Sequence, residues 1–440
     1  MATESATRTD TAEPGLRRSR VAALWKLPAL AVRRLGWGVA DQMISSLTNF
    51  AVSIYVVRTL GAVQFGVFSL AYVTYSFALN ASRGLSTDPL MVRYSATNPA
   101  TWRRAVARCT GTAAVVGFVT GACAIAAAAV MRGTAGSGFL ALGLTLPGLM
   151  LQDSWRYSFF ALGRGHLAFF NDLLWGATLV PALVLLHRTG HADVFWFILA
   201  WGATAGIAAA IGPLQAHVVP KLPGISEWLS KHRDLGTRYL VEGTASSVSA
   251  QLRVYSIGLI LGLAAVGYVQ AANTLTGPMQ VLFLGMLLTT IPEAARVLRR
   301  SPRHMPVFCG LVSGGLAVAG VAWGVVLLLA LPKGLGSWLL GATWRPTYPL
   351  VVPQTLYTVG LGASLGALVG LHALAAARRS VRAMLAGAVV FVVFSLAGAF
   401  AGGAVGTVSG AAVAAWVGAL INWWQFRAGW RDYRNSTASG

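Results

Sequence analysis

Few side chains in this sequence are equipped for chemistry, and the first to consider is a base where the chain is otherwise apolar. Arg253 lies deep in the run 238–261, too far in to snorkel comfortably to water. A guanidinium there is costly unless it meets water, a buried acid or an anion, so it is either half of an ion pair or a binding group. Ser249 and Ser256, at i−4 and i+3, share its helix face. Gln251 and Tyr255 point elsewhere and line the same space only if that space is wide. Asp41 and Glu242 each stand near the start of an apolar run, where a carboxylate is stabilised by the helix dipole or pairs with a base to latch one side or pass protons. Arg83 and Asp88 bracket a break loosened by Gly84 and Pro89. Asp153 and Arg156, with Tyr157 beside them, have the i, i+3 spacing that lets them neutralise each other on one face. Asp172 and Asn171 fall early in their run, at an interfacial depth, and Asn49, Ser53 and Tyr55 add polarity to the first run for packing or hydrogen bonding.

These groups do not assemble into a catalytic set. The seven histidines are scattered, without the HExxH spacing of a zinc site, and there is no Walker A motif. Cys109, Cys123 and Cys309 have no metal-type spacing and read as small core residues. The largest loop on the side away from the termini, 333–347 with Trp338, Trp344 and Arg345, is too short to hold an active site. No enzyme, cofactor or metal is expected, and gradient-driven carriage fits better than ATP hydrolysis.

The elements that must position these residues are membrane helices. Of the 440 residues, 56% are hydrophobic and 11% charged, whereas soluble domains carry about 25% charged residues. Long uncharged runs such as 109–131 and 305–332 exceed the roughly 18 residues needed to cross a bilayer, and they lack the alternation of barrel strands. Hydropathy predicts about twelve helices, at 37–60, 64–86, 106–131, 138–162, 167–187, 194–218, 238–261, 266–292, 306–331, 348–372, 383–401 and 404–426. The net charge of +21 is distributed in a way that excludes nucleic acid as its purpose. Of 34 Lys and Arg, 26 fall in one alternating set of loops and five in the other, which places both termini in the cytoplasm of a multi-pass protein of the cytoplasmic membrane. No cleavable signal peptide is apparent.

The chain divides at its longest polar stretch. Residues 1–36 form a basic leader suited to the membrane surface, 37–218 a first six-helix lobe, and 219–237 a cytoplasmic linker with a short amphipathic helix around Trp228 and Leu229. Residues 238–428 form a second lobe and 429–440 a tail. The lobes open on the same hairpin. Residues 41–72 and 242–273 align without a gap, matching at Ser45/Ser246, Ser46/Ser247, Leu60/Leu261, Gly61/Gly262, Gly66/Gly267 and Ala71/Ala272, with Asp41 facing Glu242. An even number of crossings per lobe gives both copies one orientation, hence an all-α protein of two six-helix lobes related by a parallel pseudo-two-fold repeat, with a cavity between them. Val52 in the first copy becomes Arg253 in the second.

This plan, together with "ADQMISSLTNFAVSIYVVRTLGAVQFGVFSLAYVTY" at the first hairpin and "GLHALAAARRSVRAML" after the tenth helix, resembles the polysaccharide flippases of the multidrug/oligosaccharidyl-lipid/polysaccharide exporter superfamily. The resemblance implies alternating access and transfer of an undecaprenyl-pyrophosphate-linked oligosaccharide between leaflets, with polysaccharide polymerases or glycosyltransferases as candidate partners. Arg253, helped by Arg83, would then hold the cargo's charge, with Gln251, Tyr255 and Asn49 beside it. Asp41, Glu242, Asp88, Asp153 and Arg156 would serve gating or ion coupling. A cation exporter of the same superfamily, wanting unpaired acids in its cavity, and a non-transporting scaffold of a polysaccharide assembly complex are the alternatives.

Overall fold

A computed structural model of the chain describes residues 14–95 and 97–438; its described side chains begin at Gly36 and leave out Val39, 238–239, 241–250, 288, 333 and 436–438. Among the described residues every regular element is helical. The first lobe contains α1 (Pro14–Ser82), a π-helical turn (Arg83–Thr87), α2 (Asp88–Tyr94), α3 (Pro99–Val130), α4 (Gly133–Ala161), α5 (Gly165–Arg188) and α6 (Val194–Ala216). A linker helix, α7 (Ile225–Lys231), leads to α8 (Arg233–Leu261), α9 (Leu263–Leu275), α10 (Gly277–Arg300) and α11 (Met305–Ala330). Two short helices, α12 (Gly336–Leu340) and α13 (Trp344–Thr347), precede α14 (Val351–Ala373) and α15 (Ala377–Ala438).

Nine helices among the described residues are long and apolar enough to cross a membrane. Two of them contain two crossings each. Helix α1 breaks at Gly61 (φ 74, ψ 177), and α15 breaks at Gly402 and Gly403. In α15 the halves form a hairpin, with Gly398 against Gly406 and Phe394 against Gly410. Large apolar side chains face outward, among them Leu259 at 87% and Phe400 at 76% exposure, which suits lipid rather than water. The first lobe has an interior around Trp155, Phe159 and Ala168 and the second one around Cys309, Ala367 and Phe426, while a cluster around Leu146, Phe197 and Trp201 continues into Leu275, Leu327 and Val351 of the second lobe.

The repeat read from the sequence is visible as geometry. Gly262 sits between α8 and α9 with φ 84 and ψ 170, nearly the conformation of Gly61, which an L side chain would strain. A Cβ on Gly66 would lie 2.0 Å from the Leu263 carbonyl oxygen, and one on Gly267 would lie 2.1 Å from that of Ala62. Ala62 and Leu263 are themselves equivalent positions, so each copy presses the same glycine onto the same partner in the other. Such reciprocity is the signature of a two-fold relation.

Two boundaries differ from expectation. Helix α1 begins at Pro14, so the leader from that residue onward is continuous with the first crossing; residues 1–13 lie outside the described part. The run 266–292 is interrupted at Thr276, where α9 ends and α10 restarts with Pro278 in its first turn, the position where a missing N–H costs nothing.

Candidate functional site

The lobes touch at both ends and leave a hollow between them; at the linker end the start of α8 packs beside the π-helical turn and α2, where Arg93 pairs with Asp234 at 2.6 Å. At the end marked by Gly61 and Gly262 they meet through the reciprocal glycines, and Arg58 of α1 covers the Trp338 ring at 5.5 Å. Midway, Thr74 and Tyr255 share a hydrogen bond across the lobes. Toward the linker end they enclose a cavity of about 940 Å³, lined by both halves of α1 and by α9 and α10. Among the described residues its lining contains no charged side chain. Aromatic rings, including Phe50, Phe68, Tyr72 and Trp201, form one wall, and the amides of Asn49, Gln270, Asn273 and Gln280 supply its polarity. The break at Thr276 organises these amides: Asn273 Oδ1 accepts from Gln280 at 3.0 Å and from Gln354 at 3.3 Å, and Gln354 also donates to the Thr276 hydroxyl at 3.1 Å. Interrupted helices that turn polar groups toward a mid-membrane cavity are a recurrent way to build a transport site.

Beside this cavity, inside the first lobe, lies an ion network. Arg83 donates to both oxygens of Asp153, at 2.9 and 2.6 Å, and its guanidinium stacks 4.8 Å from the Tyr157 ring centre. Arg156 Nε donates to Asp41 Oδ2 at 2.7 Å and lies 3.4 Å from Asp172 Oδ2. Gln152 donates to Asp172 at 2.7 Å and Asn171 at 3.3 Å, and Asn171 donates on to Gln215 at 3.0 Å. Asp41 is fully buried, and its Oδ1 has no hydrogen-bond partner. Arg156 also reaches Gln42, a cavity-lining residue, at 3.4 Å, so the network touches the cavity wall.

Arg253 is placed otherwise. It is 8% exposed, its guanidinium lies 5.0 Å from the Phe391 ring centre, and Nε has no hydrogen-bond partner. No acid pairs with it among the described residues. It sits between α8 and α15 in the second lobe, outside the lining of the inter-lobe cavity. Cation–π contact offsets part of its burial and leaves the Nε donor without a partner.

Several expectations are corrected by this geometry. Asp153 and Arg156 do not neutralise each other. They leave α4 toward different neighbours, Asp153 to the π-helical turn and Arg156 to α1 and α5, because each finds a buried partner there. Arg83 is held bidentately by Asp153 and is not a free cation for cargo. Asp41 does not stand at a helix start, since α1 begins at Pro14, so its stabilisation comes from Arg156 rather than from a dipole. Asp172 and Asn171 are buried within the protein, where both bond to Gln152. Gln251 is also buried, with Nε2 unpaired, and shares the face of Tyr255 rather than that of Arg253. Asn49 does line the cavity, and Asp88 opens α2. The side chains of Glu242 and Ser249 lie outside the described residues. Sequence reasoning missed Gln152, Gln270, Asn273, Gln280 and Gln354. Gln270, Asn273 and Gln280 shared one signal, an amide within an apolar run near the Gly277-Pro278 break.

No protein-family model matches the chain, and no curated protein resembles it in sequence. Solved structures do match in shape. An inward-facing multidrug resistance MATE family transporter of the MOP superfamily aligns with a TM-score of 0.64 at 13% identity, over 92% of this chain and 99% of that one. The lipid II flippase MurJ, in an inward closed conformation, gives 0.65 at 9% identity, over 89% and 87%. An outward-facing MATE transporter of the same superfamily gives 0.56 at 14%, over 92% and 96%. At such identities the likeness concerns fold alone: the chain has the two-lobed helical architecture that these membrane transporters share.

Proposed function

We propose that the chain is an alternating-access flippase of the cytoplasmic membrane that moves an undecaprenyl-pyrophosphate-linked oligosaccharide for cell-surface polysaccharide synthesis. The observation that carries this reading is the lining of the inter-lobe cavity. Amides that both donate and accept suit sugar hydroxyls and aromatic faces suit sugar C–H groups, and among the described lining residues there is no carboxylate to hold a cationic drug. The pyrophosphate would sit at the mouth, where Arg164 stands at the N-cap of α5 and His166 in its first turn, with His166 against Trp37 and one turn from the cavity-lining Phe169.

Coupling belongs to the first-lobe network in this reading. Among the described residues, Asp41, Asp153 and Asp172 pair with Arg83 and Arg156 alone, which leaves one net negative charge buried. A proton or a small cation would balance it, and the unpaired Oδ1 of Asp41 is the open acceptor. The same surplus acid favours a second reading, exchange of a hydrophobic cation for protons. One experiment separates the two. Purified protein in liposomes is given a fluorescent polyprenyl-pyrophosphate sugar, and separately a fluorescent hydrophobic cation, and transfer across the bilayer is followed. Accelerated transfer of the sugar lipid, reduced by Asn273→Ala, supports the flippase; transport of the cation alone replaces it with the exporter.

A further inference from the structure

Away from the inter-lobe cavity, a second hollow of about 950 Å³ opens at the linker end of the first lobe. Its wall carries Arg103, Arg104 and Arg108 from the start of α3, and Lys221 and Lys231 from the linker. One acid faces them: Glu227, which is committed to Arg108 at 2.8 Å. The other four cations have no ion pair among the described residues. The floor is apolar and aromatic, formed by Tyr94, Ala105, Val218 and Trp228.

The hollow is held in shape by the fold. The Lys221 N–H donates to the Ala107 carbonyl at 2.7 Å, and Gly111 allows the approach, since a Cβ there would lie 2.1 Å from the Lys221 oxygen. Trp228, buried, donates through Nε1 to the Leu85 carbonyl at 3.1 Å and lies against His232, which in turn meets the Tyr94 hydroxyl at 3.2 Å. The linker is therefore strapped across α3 and the π-helical turn, and it brings its lysines to the arginines.

Convergent guanidinium and ammonium groups over an apolar floor match a phosphate attached to carbon. The planar forks take phosphate oxygens, and the floor takes the adjoining chain. Because the linker joins two membrane crossings, the hollow stands at the bilayer surface, where basic clusters attract anionic lipid. We propose that this hollow binds a phosphate-bearing ligand, supplied as the head group of an anionic phospholipid from the leaflet on the linker side. Such a ligand bridges α3 to the linker and fastens the linker to the first lobe.

The test uses the full chain in nanodiscs of phosphatidylcholine, with or without phosphatidylglycerol, and counts retained lipid by native mass spectrometry. Wild type is compared with Arg103→Gln/Arg104→Gln/Lys221→Gln and with a control, Arg299→Gln/Arg300→Gln, at the exposed end of α10. The expected result is a loss of phosphatidylglycerol retention of roughly tenfold or more in the first variant and none in the control. A second arm adds inorganic phosphate to phosphatidylcholine discs and reads thermal stability. Stabilisation there that the first variant abolishes, without lipid retention, keeps the phosphate site and replaces the membrane source with a soluble one. Equal lipid loss in the control, or neither effect, overturns the proposal.

Discussion

In the first lobe, Asp41, Asp153 and Asp172 close a set of ion pairs with Arg83 and Arg156; in the second, Arg253 has an aromatic ring and no charged partner among the described residues. The two lobes share a hairpin down to the conformation of Gly61 and Gly262 and the reciprocal seating of Gly66 and Gly267. Architecture is thus conserved between the copies while the buried charge is not. A paired network resists change because removing one member strands the others, whereas an unpaired buried base carries its whole desolvation cost already. The lobes should therefore answer to mutation with opposite signs.

The largest effect is expected at Arg156. Its removal in Arg156→Ala strands Asp41 and Asp172 and should cost about 3–5 kcal/mol, read as a large fall in the thermal midpoint of the detergent-purified protein. Arg253→Met is the opposite probe. Stability should stay level or rise by up to about 4 kcal/mol, because a poorly compensated charge gives way to an apolar chain of similar reach. A fall as deep as that of Arg156→Ala would mean that Arg253 has a partner and would break the comparison.

Gly66→Ala and Gly267→Ala sharpen the shared part. Each places a methyl against backbone of the other copy and should cost about 1–3 kcal/mol, with similar losses at the two sites. Strongly unequal losses would argue against a two-fold contact. Tyr255→Phe removes one hydrogen bond between the lobes and should cost only about 0.5–1.5 kcal/mol.

The linker adds a pH dependence outside the membrane helices. Burial holds the His232 imidazole below its ordinary value, further lowered by Arg93 and Lys231, while its contact with the Trp228 carbonyl and Asp234 work the other way. The neutral form is favoured when the linker is docked, so its contribution is complete above about pH 6.5 and is lost as pH falls through the lower folded value. Trp228 fluorescence should report loosening on acidification, and His232→Asn should remove that step.

Much of this fold was legible because lipid forces long apolar runs and leaves loop charge to record orientation. The glycine-bracketed turn was legible too, since Gly61 and Gly262 must adopt φ values that other residues resist. Charge pairing was not. Asp153 and Arg156 are neighbours along α4, and nothing in their spacing shows that Arg83 and Asp41 approach from other helices with better geometry. The same limit explains Arg253: its depth was evident, but the direction it faces depends on how α8 packs against α15. Apart from Asn49, the cavity amides escaped notice because Asn and Gln carry no formal charge, although Gly277-Pro278 marks where the helix breaks beside Gln270, Asn273 and Gln280.

Alternating access requires the lobes to separate where Arg58 now covers Trp338, so that the cavity can open on the other side. The direct measurement is sugar-lipid flipping in liposomes by an Arg58→Cys/Trp338→Cys protein whose three natural cysteines are replaced by alanine, bridged with a short bis-methanethiosulfonate reagent. Bridging should abolish flipping, and dithiothreitol should restore it. Flipping that continues unchanged while the bridge is intact would contradict alternating access between these lobes.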